Sequence, residues 1–141
     1  IDTRPDELID LPASVDAKAV PMPEAVVRSA PAGSSYVILT HDHALDFMIA
    51  AEALKRTDAP YLGMVGSKTK RAKFSSWHAS EGGDRAALKR LVLPIGDLGL
   101  VDKRPEVIAA LAAAEIMVHI GGREASLMRV PDTKDLGAAV D

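Results

Sequence analysis

Three short runs of this chain carry side chains able to do chemistry. His41-Asp42-His43, with Asp46 one helical turn later, puts two imidazoles and two carboxylates close together in sequence. Gly66-Ser67-Lys68 sets a glycine turn, a hydroxyl and a cation in succession, and Asp2 stands apart near the start. Imidazole and carboxylate in this density suit proton transfer, a ligand-facing role without metal, or metal ligation. The metal pattern is incomplete, because a dinuclear hydrolase wants an Asp two residues beyond the second His and a His next, whereas Asp46 comes later and Phe47 follows it. The ordinary alternative is that Thr40 or Asp42 caps a helix while the histidines meet water. Gly66-Ser67-Lys68 would open a helix whose free N–H groups and partial positive charge suit a phosphate. Its spacing is not that of a Walker phosphate loop. The ordinary alternative there is a tight turn with Ser67 as a plain N-cap. Asp2 sits where a dinucleotide-binding domain places the carboxylate for a ribose diol, or it is a loop carboxylate that caps or solvates.

The elements that must position these runs alternate between strand and helix. Tyr36-Val37-Ile38-Leu39-Thr40 is a continuous apolar and β-branched run, the pattern of a strand covered on both faces. A helix carrying Leu45, Met48, Ile49 and Ala53 follows and stops at Ala59-Pro60. Tyr61-Leu62-Gly63-Met64-Val65 is the next strand, and a basic helix runs from Lys68 towards Ser80, broken by Gly82-Gly83. Asp84 caps a short helix to Leu91, and 92–96 is a short extended piece. Earlier, 15–20 alternates as an edge strand would, and Pro23-Glu24 opens a short helix through Ser29. The last strong element is Pro105 to His119, with Gly121-Gly122 beyond its end and 123–141 as a tail. With no hairpin signal between strands, the expected fold is α/β, a Rossmann-like three-layer parallel sheet with helices on both faces, over 1–122. Ile1-Asp2-Thr3-Arg4-Pro5 reads as the end of a buried strand, and no Met precedes it. The first strand and its Gly-rich turn are therefore expected upstream of the sequence given.

Composition narrows the chemistry. The chain has 141 residues, 48% hydrophobic, with no cysteine, which excludes disulfides, thiolate metal sites and sulfur nucleophiles within it. Charge or glycine is expected to break every apolar run before the ~18 residues a membrane span needs, so the reading is soluble and cytoplasmic. Between 68 and 90 seven cations face two acids, on a chain whose net charge is -3. This local basic face favours an anionic ligand or an acidic partner. Nucleic acid is disfavoured by the acidic total and by only 4% aromatics. Phe74 and Trp77 read as core, and His78 and His119 receive no role.

The runs at 36–46, 61–70, 93–96 and 103–109 resemble, in the same order, the C-terminal Rossmann domain of the xanthine dehydrogenase accessory protein family, of XdhC/CoxI type. The opening Ile-Asp-Thr-Arg-Pro fits as the end of that domain's second strand, and the resemblance spans roughly 1–119. It implies a chaperone that binds molybdenum cofactor, a pterin with a terminal phosphate, holds it while a terminal sulfur is installed, and passes it to xanthine dehydrogenase. It places the ligand in a cleft bordered by 41–46 and 66–68. The candidate binding residues are then Asp2, His41, Asp42, His43, Asp46, Gly66, Ser67 and Lys68, with no catalytic residue and no metal ligand assigned. It implies the molybdenum-binding subunit of xanthine dehydrogenase as a partner, a cysteine desulfurase as a further one, and a homodimer as an option. Many relatives have cysteine where Leu93 stands, so no thiol there can hold molybdenum. Two other classes share the fold: an NAD(P)-dependent oxidoreductase using Asp2, Gly66 and a histidine from 41 or 43, and a metal-assisted hydrolase built on His41, Asp42 and His43.

Overall fold

A computed structural model describes residues 1–127, with side chains through 122. Three parallel strands, β1 (Tyr36–Ile38), β2 (Leu62–Met64) and β3 (Leu91–Val92), lie side by side in that order. Four helices accompany them: α1 (Pro23–Ser29), α2 (His43–Leu54), α3 (Lys68–Ser80) and α4 (Pro105–Leu127).

The period-2 alternation of β2 divides the core between two layers. Leu62 and Met64 point to one face, where Ile49, Ala53 and Leu54 of α2 and Phe74 of α3 seal them. Tyr61 and Val65 point to the other face, against Ile95 and against Ala112 and Ile116 of α4. Gly63 lies between, and a Cβ there would fall 2.4 Å from Tyr61 Oη and 2.5 Å from Ile95 Cγ2. Helices thus cover both faces of a parallel sheet, as the uninterrupted apolar strands require. Each fully buried Leu or Ile in these layers contributes about 1.5–3 kcal/mol.

Three polar ties, one buried and two part-buried, hold the layers in register. Tyr61 Oη donates to Glu115 Oε1 at 2.7 Å, and Gly96 N donates to the same oxygen at 3.2 Å, fixing α4 to the sheet. Burial, reinforced by Glu115, raises the Tyr61 phenol well above its ordinary value. On the opposite face Arg71 Nη1 donates to the carbonyls of Leu91 and Leu93 at 3.0 and 3.3 Å. Arg90 donates to the carbonyls of Arg56, at 2.7 Å, and Leu54, closing the end of α2. Three members of the basic run therefore work inward, since the half-buried Lys70 also turns to a protein partner, and the uniform cationic surface read from composition is smaller than expected.

Several boundaries differ from the sequence reading. The edge strand expected over 15–20 is reduced to one parallel bridge, Asp2 with Ala19, because these residues have no neighbour beyond Asp2 among the described residues. The helix expected after Asp84 is a short 3-10 turn, Ala87–Arg90, and Asp84 accepts only from Ala86 N. Helix α4 runs straight through Gly121-Gly122, where nothing crowds the glycines and the helix-favouring sequence before them outweighs a cost of about 1 kcal/mol each. The expected tail is thus helical to Leu127, and 128–141 lies outside the described residues. Pro105–Gly122 is also long and apolar enough to cross a membrane by length and composition, contrary to expectation. One of the acids in that window, Glu115, faces inward on Tyr61, so the helix is anchored to the sheet through it.

β1 is the open margin of the sheet. Its pairing with β2 uses Tyr36 and Ile38, whose N–H and C=O meet Tyr61 O and Val65 N at 2.9 Å. Alternation turns the amide and carbonyl of Val37 to the other side, and the Val37 side chain is 42% exposed. A cavity of about 400 Å³ separates this margin from Ile1, Asp2 and Thr3.

Candidate functional site

Both helices that follow the strands begin at the same end of the sheet, where parallel topology collects loops and helix N-termini. Asp42 caps α2, its carboxylate accepting from Ala44 N at 2.7 Å and Leu45 N at 3.0 Å. The amides of Leu45 and Ala44 hold its carboxyl below the ordinary range. Ser67 caps α3 through Lys70 N at 3.2 Å. The sequence left Thr40 and Asp42 as alternative caps, and the structure assigns Asp42, while Thr40 Oγ1 braces the turn by donating to Asp42 O at 2.8 Å.

The two N-termini are joined by a salt bridge that sequence reasoning missed. Lys70 Nζ donates to Asp46 Oδ2 and, at 2.8 Å, to Val65 O. Asp46 Oδ1 accepts from Thr40 N at 2.9 Å. Asp46 is 1% exposed and the Lys70 side chain 10%, so the pair is nearly closed to solvent. One ion pair therefore ties the ends of β1 and β2 to the first turns of α2 and α3. Gly66 is required by this arrangement, since a Cβ would fall 2.6 Å from Lys70 Cδ and 2.9 Å from Leu93 Cδ1.

Above the pair lies a crevice of about 280 Å³ lined by Leu39, Thr40, His41, His43, Asp46, Val65, Gly66, Ser67 and Lys70. His41, His43, Asp46, Gly66 and Ser67 of the expected set come together here. Three do not. Asp42 is spent on its cap, and Lys68, the first residue of α3, is exposed and outside the crevice. Asp2 lines the neighbouring 400 Å³ cavity, which shares Leu39, Thr40 and His41 with the crevice. Its carboxylate accepts from Arg4 N at 2.9 Å and pairs with the Arg4 guanidinium at 3.2 Å, which lowers its pKa. Asp46 reaches the crevice wall with both oxygens already engaged.

The electrostatic consequence is asymmetric. At α2 the amides of Ala44 and Leu45 are satisfied by Asp42, whereas at α3 Ser67 satisfies Lys70 N and leaves the amides of Lys68 and Thr69 without an acceptor among the described residues. An anion in the crevice would meet Gly66 and Ser67, the positive end of a 13-residue helix and two imidazoles. Lys70 is neutralised by Asp46 and contributes little free charge. No group of three or more His, Asp or Glu among the described residues is placed to hold a metal ion. Leu93, 4% exposed, lies beneath Gly66.

No curated protein matches the chain. A family model described as the XdhC Rossmann domain matches residues 1–116, and its Rossmann architecture agrees with the three parallel strands sheathed by helices on both faces. The chain belongs to the XdhC Rossmann-domain family.

Proposed function

We propose that this domain binds molybdenum cofactor and hands it to xanthine dehydrogenase, acting as a cytoplasmic chaperone and not as a catalyst. Membership of the XdhC family supports a role in xanthine dehydrogenase maturation. The observation that carries the finer reading is the single crevice that brings the start of α3, at Gly66 and Ser67, together with His41 and His43. The fit to a phosphorylated pterin rests on the donor set. Free backbone N–H groups at a helix N-terminus take the terminal phosphate, while imidazoles and the Thr40 loop offer hydrogen bonds to a heterocycle. The crevice by itself is just under the size range of small-molecule pockets, and it shares Leu39, Thr40 and His41 with the cavity beside Asp2. The bound cofactor would supply the molybdenum redox chemistry of its client, and this chain's residues would hold it and limit water around it.

The dinucleotide alternative is less favoured, because Arg4 already occupies the Asp2 carboxylate that a ribose would need. The hydrolase alternative lacks a ligand cluster among the described residues. Partners consistent with the reading are the molybdenum subunit of xanthine dehydrogenase and a cysteine desulfurase, with homodimerisation as a further option. Chain purified anaerobically from cells that make molybdenum cofactor should carry molybdenum together with pterin fluorescence. Protein that carries neither under those conditions would refute the proposal.

A further inference from the structure

Helices α2 and α3 begin at the crevice, and their opposite ends border a third cavity, of about 980 Å³. Its wall combines the Trp77 indole with the thioethers of Met22 and Met48, which are 53% and 46% exposed. Its polar groups are unevenly matched. Arg28 and Lys55 both turn to Glu52, at 3.6 and 2.7 Å, and Arg90 is committed to backbone carbonyls. Every cation on the wall thus has a partner. Glu24 does not: it is 8% exposed and makes no hydrogen bond or ion pair among the described residues. On the floor, His78 is stacked on Phe74 and 6% exposed, and its Nε2 is buried without a partner beneath Gly83.

The Glu24 side chain is mostly enclosed, its oxygens reach solvent at the cavity, and it has no counter-ion among the described residues, so the carboxylate favours a cation arriving from that side. We propose that this cavity is a binding site for a small organic cation, an ammonium or guanidinium carried on an apolar body. The charge would meet Glu24, and the body would lie on Trp77 and the flexible Met22 and Met48 side chains, with cation–π attraction to the indole. The inference is independent of cofactor binding at the crevice, since the two sites occupy opposite ends of the same helices.

Trp77 is the chain's single tryptophan, so its fluorescence reports on the wall of this cavity and on the core behind it. Titration of the 141-residue chain with phenethylammonium should give a saturable change, and phenylacetate, with a similar body and opposite charge, should give none. Glu24→Gln should weaken the cation about tenfold or more while circular dichroism stays unchanged. Met48→Ala, at a half-exposed position, should weaken it severalfold and serves if Glu24→Gln fails to fold. No saturable response to phenethylammonium, an equal response to phenylacetate, or full affinity in the folded Glu24→Gln or Met48→Ala variant would overturn the proposal.

Discussion

Removing Lys70 should damage this domain more than removing any other lysine of the basic run. In Lys70→Met the Asp46 carboxylate, 1% exposed, keeps only the Thr40 amide at 2.9 Å and loses its counter-ion. Breaking one partner of a buried pair costs about 3–5 kcal/mol, because the remaining charge is left uncompensated. For a domain of this size that is about 10–15 °C in Tm. Lys68→Ala, on an exposed side chain, should change stability by less than about 0.5 kcal/mol. The assay is urea denaturation followed by circular dichroism, with a double-mutant cycle through Asp46→Asn. Asparagine retains an acceptor for Thr40 N and removes the charge, so the double variant should lose about 2–3 kcal/mol less than the two single losses combined. Added salt should change the coupling little, since so buried a pair is weakly screened. A Lys70→Met variant within about 1 kcal/mol of wild type, or single losses that simply add, would refute the view that this pair joins the two halves of the crevice.

Further expectations follow from individual contacts. Gly66→Ala drives a methyl against Lys70 Cδ and Leu93 Cδ1, costing about 1–3 kcal/mol, and should also weaken binding of a phosphorylated pterin; unchanged values of both would remove Gly66 from the site. Tyr61→Phe leaves Glu115 with only Gly96 N as donor and should cost about 1–3 kcal/mol by thermal melting, loosening α4 first in amide exchange. Asp2, Asp42 and Glu52 are held below their ordinary values of 3.8, 3.8 and 4.5, mainly by Arg4, by the amides of Leu45 and Ala44, and by Lys55 respectively. The unfolded chain therefore takes up protons at higher pH than the folded one. Their stabilisation is present above those ordinary values and is lost as pH falls through the depressed ones, so the urea midpoint should drop below about pH 4. A midpoint that is flat or rises there would contradict the assignment.

How much of this was legible in the sequence depended on whether the signal was local. The apolar runs at 36–40 and 61–65 and the caps at Asp42 and Ser67 are short-range features, and they placed two parallel strands and the starts of two helices within about two residues, whereas α2 stops at Leu54, short of the Ala59-Pro60 expected to end it. Parallel topology then brought His41, His43, Gly66 and Ser67 to one edge. The choice between Lys68 and Lys70 was not local. It depends on helix phase, since the residue three beyond the cap folds back over the N-terminus, and on a carboxylate 24 residues away. A sequence signal did exist, because a glycine four residues before a lysine leaves room for its stem to lie back across the turn. Arg71 and Arg90 misled for the same reason: composition counts charge, whereas burial decides whether it faces a ligand or a strand-end carbonyl. Helix α4 passed through its glycines because nothing there needed the space or a positive φ. Glu24 and Trp77 gave no hint of a shared cavity, as their meeting depends on how α1 packs on α2.

A ligand that enters the crevice must register at the first turn of α3. Amide spectra of the ¹⁵N-labelled chain, recorded during titration with a phosphorylated pterin, test it directly. Saturable shifts at Gly66, Ser67, Lys68 and Thr69, with His41 and His43 moving in parallel, are the expected result. Binding that leaves those amides still, or no binding at all, would contradict it.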